Sequence, residues 1–293
     1  MPPSLKIKRM IELSKIILRG ISQVMLLNNP LTGFLFLVGI FYNSWMMGIG
    51  ALIGVFTGTI TALALDYRDK DVKDGLYGFN GALAGIALFF FFKADILLIP
   101  LVIAGSFLSS IIMIHMIKRK LSPYTFPFVL STWALIILIK LLDLVPEQAQ
   151  GLFKAVNLDM ISALSMGFGQ VMFQASIITG IIFFIAILIN SRMSAIYAFI
   201  GSFIGMLLAL GLSFPLNLVN MGIFGFNGVL CGIAFADNKR YSWLYVIISI
   251  IASVLIIYGM TNLNLIALTA PFVFAAWITL ALRKMISQNL TSG

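Results

Sequence analysis

Six neutral polar residues stand out in a chain that is 61% hydrophobic and only 10% charged. They come in pairs at a fixed spacing. Gln23 and Gln170 lie 147 residues apart (170 − 23), Asn80 and Asn227 share that spacing, and Thr125 and Thr269 lie 144 apart (269 − 125). Amides and hydroxyls donate and accept hydrogen bonds without titrating, so they suit recognition of a small neutral polar solute rather than proton or group transfer. The titratable groups lie elsewhere. Glu12, Asp66, Asp69, Asp71, Asp74, Asp95, Asp143, Glu147, Asp159 and Asp237 all fall at a terminus, a loop or the edge of an apolar run, and the single histidine, His115, ends a run beside Lys118. An acid–base pair, an activated nucleophile or a metal cluster cannot be assembled inside the apolar segments. The expectation is a non-enzyme with no metal and no cofactor. Proton or cation coupling loses its usual intramembrane carriers as well, although backbone carbonyls alone can hold Na⁺.

The first pair sits in Gln23-Val24-Met25-Leu26-Leu27-Asn28-Asn29-Pro30, followed by Thr32-Gly33. Pro30 lacks an amide donor and disfavours helix at Asn29, so a helix break is expected there. Broken backbone inside a membrane is tolerated where it lines a cavity or is covered by protein. Gln23 would then offer its amide to a solute; the plainer reading is that it and the asparagines brace neighbouring helices. The second copy repeats Gln170-Val171-Met172 and Thr179-Gly180 but reads Gln174-Ala175-Ser176-Ile177 where the first has Leu27-Asn28-Asn29-Pro30. The two copies should differ there. A second motif, Gly75-Leu-Tyr-Gly-Phe79-Asn80-Gly81, returns as Gly222-Ile-Phe-Gly-Phe226-Asn227-Gly228. Its glycines permit a tight re-entrant turn or close helix packing, and the asparagines are expected to tie down free backbone in that turn. The third motif is Thr125-Phe126-Pro127-Phe128 with Thr269-Ala270-Pro271-Phe272. Proline there marks a helix start or break, ahead of which carbonyls and the Thr hydroxyls can face a cavity; a Pro kink with Thr bonded to its own helix is the plainer account.

These motifs need elements that cross a bilayer. Soluble domains carry about 25% charged residues, and apolar runs here reach the ~20 residues that span ~30 Å of hydrocarbon. The fold expected is all-α and polytopic. Apolar segments fall at roughly 16–42, 46–65, 82–93, 96–116 and 124–142, then 161–190, 195–213, 228–236, 241–260 and 266–282. The elements at 82–93 and 228–236, and the stretches after Thr125 and Thr269, look short. Five segments per copy is odd, so the second copy enters from the opposite side, giving two inverted repeats, each with a short re-entrant helix. With the N-terminus in the cytoplasm, 16 of the 19 basic residues fall on that side and only Lys93, Lys140 and Lys154 fall outside, as the positive-inside rule requires. The expected regions are a cytoplasmic N-terminus at 1–15, a first repeat at 16–142, an extracellular connection at 143–160, a second repeat at 161–284 and a cytoplasmic tail at 285–293. The basic start reads as the lead into a first membrane helix rather than a cleaved signal, and the loop Asp66–Asp74 reads as a solvated turn. The net charge of +9 sits at segment ends and does not mark a nucleic-acid surface. The one cysteine, Cys231, excludes an intrachain disulfide.

Together, Leu18-Arg19-Gly20-Ile-Ser-Gln23-Val24, Asn28-Asn29-Pro30, the two Gly-Phe-Asn-Gly elements and the two Thr-x-Pro-Phe elements resemble the urea transporter family of bacteria and vertebrates, from about Arg19 to about Trp277. The resemblance implies a homotrimer in the bacterial inner (plasma) membrane, one central pore per subunit, and passive conduction of urea or short amides. It implies Gln23 and Gln170 at the pore mouths, Phe79 and Phe226 as slot walls, and Thr125 and Thr269 in an acceptor ladder. Phe173 takes an aromatic-wall position whose first-copy counterpart is Leu26. Asn28, Asn29, Pro30, Asn80, Pro127, Asn227 and Pro271 would shape the backbone beside the path. A Na⁺-coupled carrier of another small neutral solute is the alternative, since broken helices in inverted repeats serve there too.

Overall fold

The computed structural model describes residues 3–149, 157–237 and 241–291. Lys154, Lys239 and Arg240, counted above, lie outside them, as does the middle of the 143–160 connection. The chain forms two compact units, Met1–Gly151 and Leu152–Gly293.

The first unit holds α1 (Pro3–Gln23), α2 (Pro30–Asn43), α3 (Trp45–Ala64), α4 (Asp69–Lys73), α5 (Phe79–Phe91), α6 (Leu98–Lys118) and α7 (Phe126–Leu141). The second holds α8 (Met160–Gly169), a 3₁₀ turn (Gln170–Met172), α9 (Ile177–Asn190), α10 (Arg192–Gly211), α11 (Leu216–Asn220), α12 (Phe226–Ala234), α13 (Ser242–Asn262) and α14 (Ala270–Thr291). From α2 through the start of α5, each element begins 147 residues before its counterpart; from α6 onward the offset is 144. The three-residue difference therefore falls between α5 and α6. There α12 also ends early, at 9 residues against 13 in α5.

Length and composition make α3, α6, α10, α13 and the Ala270–Gln288 part of α14 able to cross a bilayer, and α8 with α9 adds a span bent by 75°. This is a polytopic helical membrane protein. The run 16–42 is broken ahead of Pro30 as expected, with α1 beginning at Pro3 and ending at Gln23 and α2 starting at Pro30. Two sequence expectations change. The stretch after Thr125 is short, at 16 residues, but that after Thr269 is a 22-residue helix; it continues through polar residues, with Arg283 held at 2.9 Å by Asp237. The loop 66–74 is not wholly solvated either: α4 forms within it and buries Val72 and most of Asp71.

The short motif helices are the cores of their units. Every residue from Phe79 to Leu88 is buried, and so is every residue from Phe226 to Ile233. A helix buried all round needs backbone-close neighbours. Glycine supplies them: a Cβ on Gly54 would stand 2.0 Å from the Gly81 carbonyl oxygen, and one on Gly201 2.0 Å from that of Gly228. The glycine after Phe-Asn is thus a packing residue between α3 and α5, or α10 and α12, which is the small-residue contact of membrane helices. The tight turn lies earlier, at Gly75 and Gly222, where φ is +76° and +72°.

Single serines join α2 to α3 and α9 to α10. Ser44 donates its amide to Ile40 and its hydroxyl accepts from the Met47 amide; Ser191 repeats this with Ile187 and Ser194. Each serine therefore closes one helix and caps the next.

Candidate functional site

Both copies break their first helix in the same way, and the first break ends at Pro30 as expected. The amide of Leu26 donates to the Gln23 carbonyl and that of Leu27 to Ser22; Phe173 donates to Gln170 and Gln174 to Gly169. These are the paired bonds of a Schellman closure, whose penultimate residue is left-handed and usually glycine. Here it is Leu26 in one copy and Phe173 in the other, both at φ +59°. A bulky residue held there is uncommon and marks a constrained site. Pro30 occupies the first turn of α2, where a missing amide is harmless, and the Asn29 side chain caps that turn by accepting from Leu31 and Thr32. Ser176 caps α9 through the Thr179 amide. The second copy therefore keeps the local backbone form without Asn-Asn-Pro, because serine replaces asparagine as cap.

The bracing of the breaks differs. Gln23 donates to the Asp74 carbonyl at 3.0 Å, Asn28 donates to the Asp74 carboxylate at 2.8 Å, and Arg19 donates to the Lys73 carbonyl at 3.0 Å. The C-terminal end of α4 thus gathers three donors from the first break, two at its carbonyls, as a helix C-terminus favours, and one at the Asp74 carboxylate. Gln23 and Asn28 do brace a neighbouring element, the plainer reading given above. Asp74 is the residue the sequence reading missed at this break; 46 to 51 residues of chain separate it from its partners, and its one local sign is its place before the Gly75 turn. The second copy has Met221 in place of Asp74. There the buried Gln174 donates to the Met172 carbonyl at 2.5 Å, and Ser165 to Ile177 at 2.6 Å.

The second and third motifs meet within each unit. Phe79 and Phe226 begin α5 and α12, so Phe-Asn lies in the first helical turn rather than in a loop. Asn80 accepts from the Phe128 amide at 3.1 Å, and Asn227 accepts from the Phe272 amide at 3.1 Å. Those amides belong to the first turns of α7 and α14, where helices have no internal acceptor. The asparagines therefore tie down the start of another helix, not their own turn. Pro127 and Pro271 occupy the preceding position, where no amide is needed. The chain just before is strained identically in both copies, with Tyr124 at φ +46° and Leu268 at +47°. Thr125 and Thr269, next in sequence, are fully buried.

The match is incomplete at one atom. The Asn80 amide nitrogen has the Met113 sulfur at 3.7 Å. At the corresponding position, 257, stands Ile257, and the Asn227 amide nitrogen is buried without a partner among the described residues.

Outside the membrane segments, Asp159 caps α8. The Ser162 hydroxyl and amide both donate to its carboxylate and hold it below the ordinary carboxyl range.

A urea transporter family model matches residues 14–284. The chain is 30% identical over 241 residues to urea transporter 1 of Mus musculus and to that of Rattus norvegicus, and 29% identical to that of Ovis aries. Each alignment covers 74% of this chain, which spans 61% of the length of these relatives. The relatives are mammalian, and none speaks to a bacterial inner membrane. Buried neutral polar groups repeated in each of two similar units, and a family match over nearly the whole length, agree: the chain belongs to the urea transporter family.

Proposed function

We propose that this chain conducts urea passively across its membrane. The observation that carries the reading is the twice-built helix start. A buried threonine precedes a proline-opened helix whose third residue is held by an asparagine 3.1 Å away, and that asparagine follows a phenylalanine at the head of a buried short helix. Each copy thereby offers an aromatic face and a hydroxyl beside backbone carbonyls, with no charge among them. Urea is flat and neutral, with four N–H donors and one strong acceptor. A slot walled by Phe79 or Phe226, with Thr125 or Thr269 and nearby carbonyls along one edge, replaces its water partners. A hydrated ion finds no such replacement and pays a large desolvation penalty. Gln23 with Leu26, and Gln170 with Phe173, form the approaches. Binding at each step must be strong enough to shed water and weak enough to release.

The homotrimer, cytoplasmic termini and plasma-membrane setting belong to the same proposal, supported by the family and by basic residues at segment ends. Stopped-flow flux in proteoliposomes tests it. Saturable urea permeation well above protein-free vesicles, unchanged when H⁺ and Na⁺ gradients are dissipated, is expected. Flux equal to protein-free vesicles overturns it, and dependence on a Na⁺ gradient would assign a coupled carrier instead. Acetamide and formamide in the same assay define selectivity.

A further inference from the structure

The first half of α1 is built for neither a protein core nor a membrane crossing. Residues 6–15 are all exposed, and burial begins at Ile16. The helix carries Lys6, Lys8, Arg9, Glu12, Lys15 and Arg19, too many charges for a span. At 100° per residue its sides are distinct. Ile7, Met10, Ile11 and Leu18 share one face with Ser14; Lys8, Arg9, Glu12 and Arg19 lie on the remaining side, with Leu13 beyond Arg9. Ile7 is 58% exposed and Met10 62% exposed. Lys15 and Glu12 pair at 3.0 Å along the polar face, which leaves the apolar stripe clear. The far end of the same helix is fixed: Arg19 bonds the end of α4, and Gly33 of α2 lies against the Leu18 carbonyl so closely that a Cβ would stand 1.8 Å away.

We propose that residues 6–15 lie in the plane of the membrane surface and dock on anionic lipid, with Ile7, Met10 and Ile11 among the acyl chains and Lys6, Lys8, Arg9 and Lys15 among the headgroups. Four cations against one acid complement a negative surface, and the stripe gains the apolar contact that it lacks within the protein. A basic amphipathic helix behaves in this way. The inference depends on the membrane character of the chain and not on its solute. Because α1 continues unbroken to Gln23, the lipid surface also sets the approach of that residue.

Nitroxide scanning of residues 6–15 in the full-length protein tests it; the buried Cys231 leaves the introduced cysteine as the accessible one. Nanodiscs of phosphatidylcholine with a quarter phosphatidylglycerol are compared with phosphatidylcholine alone. Oxygen accessibility should peak at positions 7, 10 and 11 and nickel-chelate accessibility at 8, 9 and 12, the two out of phase with each other and both following the helical repeat of about 3.6 residues. The oscillation should shrink several-fold without the anionic lipid, and Lys6→Gln with Lys8→Gln should shrink it in the mixed discs. Nickel access at every position in both lipids overturns the proposal, because the helix then projects into water. Oxygen access on every face overturns it too, because the helix then inserts. The lipid comparison needs no charge variant, so a misfolding variant leaves the test intact.

Discussion

Asn80 and Asn227 make the same bond to the same kind of helix start, yet their substitution by alanine should differ in cost. In either variant the amide of Phe128 or Phe272 loses its acceptor at 3.1 Å. Orphaning a buried donor costs about 1–3 kcal/mol. Asn80→Ala bears that cost and also loses a weak contact to Met113. Asn227→Ala bears it too but deletes an amide nitrogen that is already buried and without a partner among the described residues, which returns a comparable ~1–3 kcal/mol. The pair should therefore differ by about 1–3 kcal/mol, or roughly 2–12 °C in Tm at about 2–4 °C per kcal/mol, with Asn80→Ala the less stable. Thermal unfolding of the detergent-solubilised protein measures this. Ile257→Met supplies the missing sulfur at a packing cost below about 1.5 kcal/mol, and in that background Asn227→Ala should become more damaging. Equal losses for the two alanine variants, or a larger loss for Asn227→Ala, would refute the reasoning. An Ile257→Met background that leaves the Asn227→Ala cost unchanged would show that the unpaired nitrogen carries no penalty.

Other outcomes follow from the same geometry. Thr125→Val and Thr269→Val each remove one hydroxyl with little change of shape; a bond worth about 1 kcal/mol should change urea flux several-fold while gel filtration and Tm stay near wild type. Gly54→Ala and Gly201→Ala place a Cβ 2.0 Å from a backbone oxygen, overpacking that costs about 1–3 kcal/mol or more, read as lost expression and a lower Tm. Ser176→Ala removes the cap of α9 and should cost about 1 kcal/mol by thermal unfolding. The lowered carboxyl of Asp159 gives a stabilising contribution that is complete above the ordinary carboxyl range and lost as pH falls through the folded value. Protection of the α8-start amides, taken relative to the intrinsic exchange rate at each pH, should therefore fall below about pH 4, and Asp159→Asn should abolish that dependence.

The helical membrane class, the duplication and the neutral character of the paired residues were legible because hydropathy and spacing are local properties of a chain. The first break was legible because Pro30 keeps Asn29 out of helix, whereas the closure that both copies share was not, since no propensity marks Leu26 or Phe173 for a left-handed backbone. The role of Asn80 was placed in its own turn because its true partner, Phe128, lies 48 residues away (128 − 80). Asp74 escaped notice for the same reason. The divergence at Gln174–Ile177 suggested different backbone, and the structure shows one closure with a substituted cap.

The sequence by itself determined that the protein lives in a bilayer, that it is built twice, and that its interior polarity is uncharged; the cost of burying a charge in hydrocarbon carries the first and last of these, and the repeat spacing the second. Only the tertiary structure decided which donor meets which acceptor. Each helix start leaves amides that its own turn cannot satisfy, and the residue that satisfies them is chosen by packing across tens of residues, where sequence spacing carries no information.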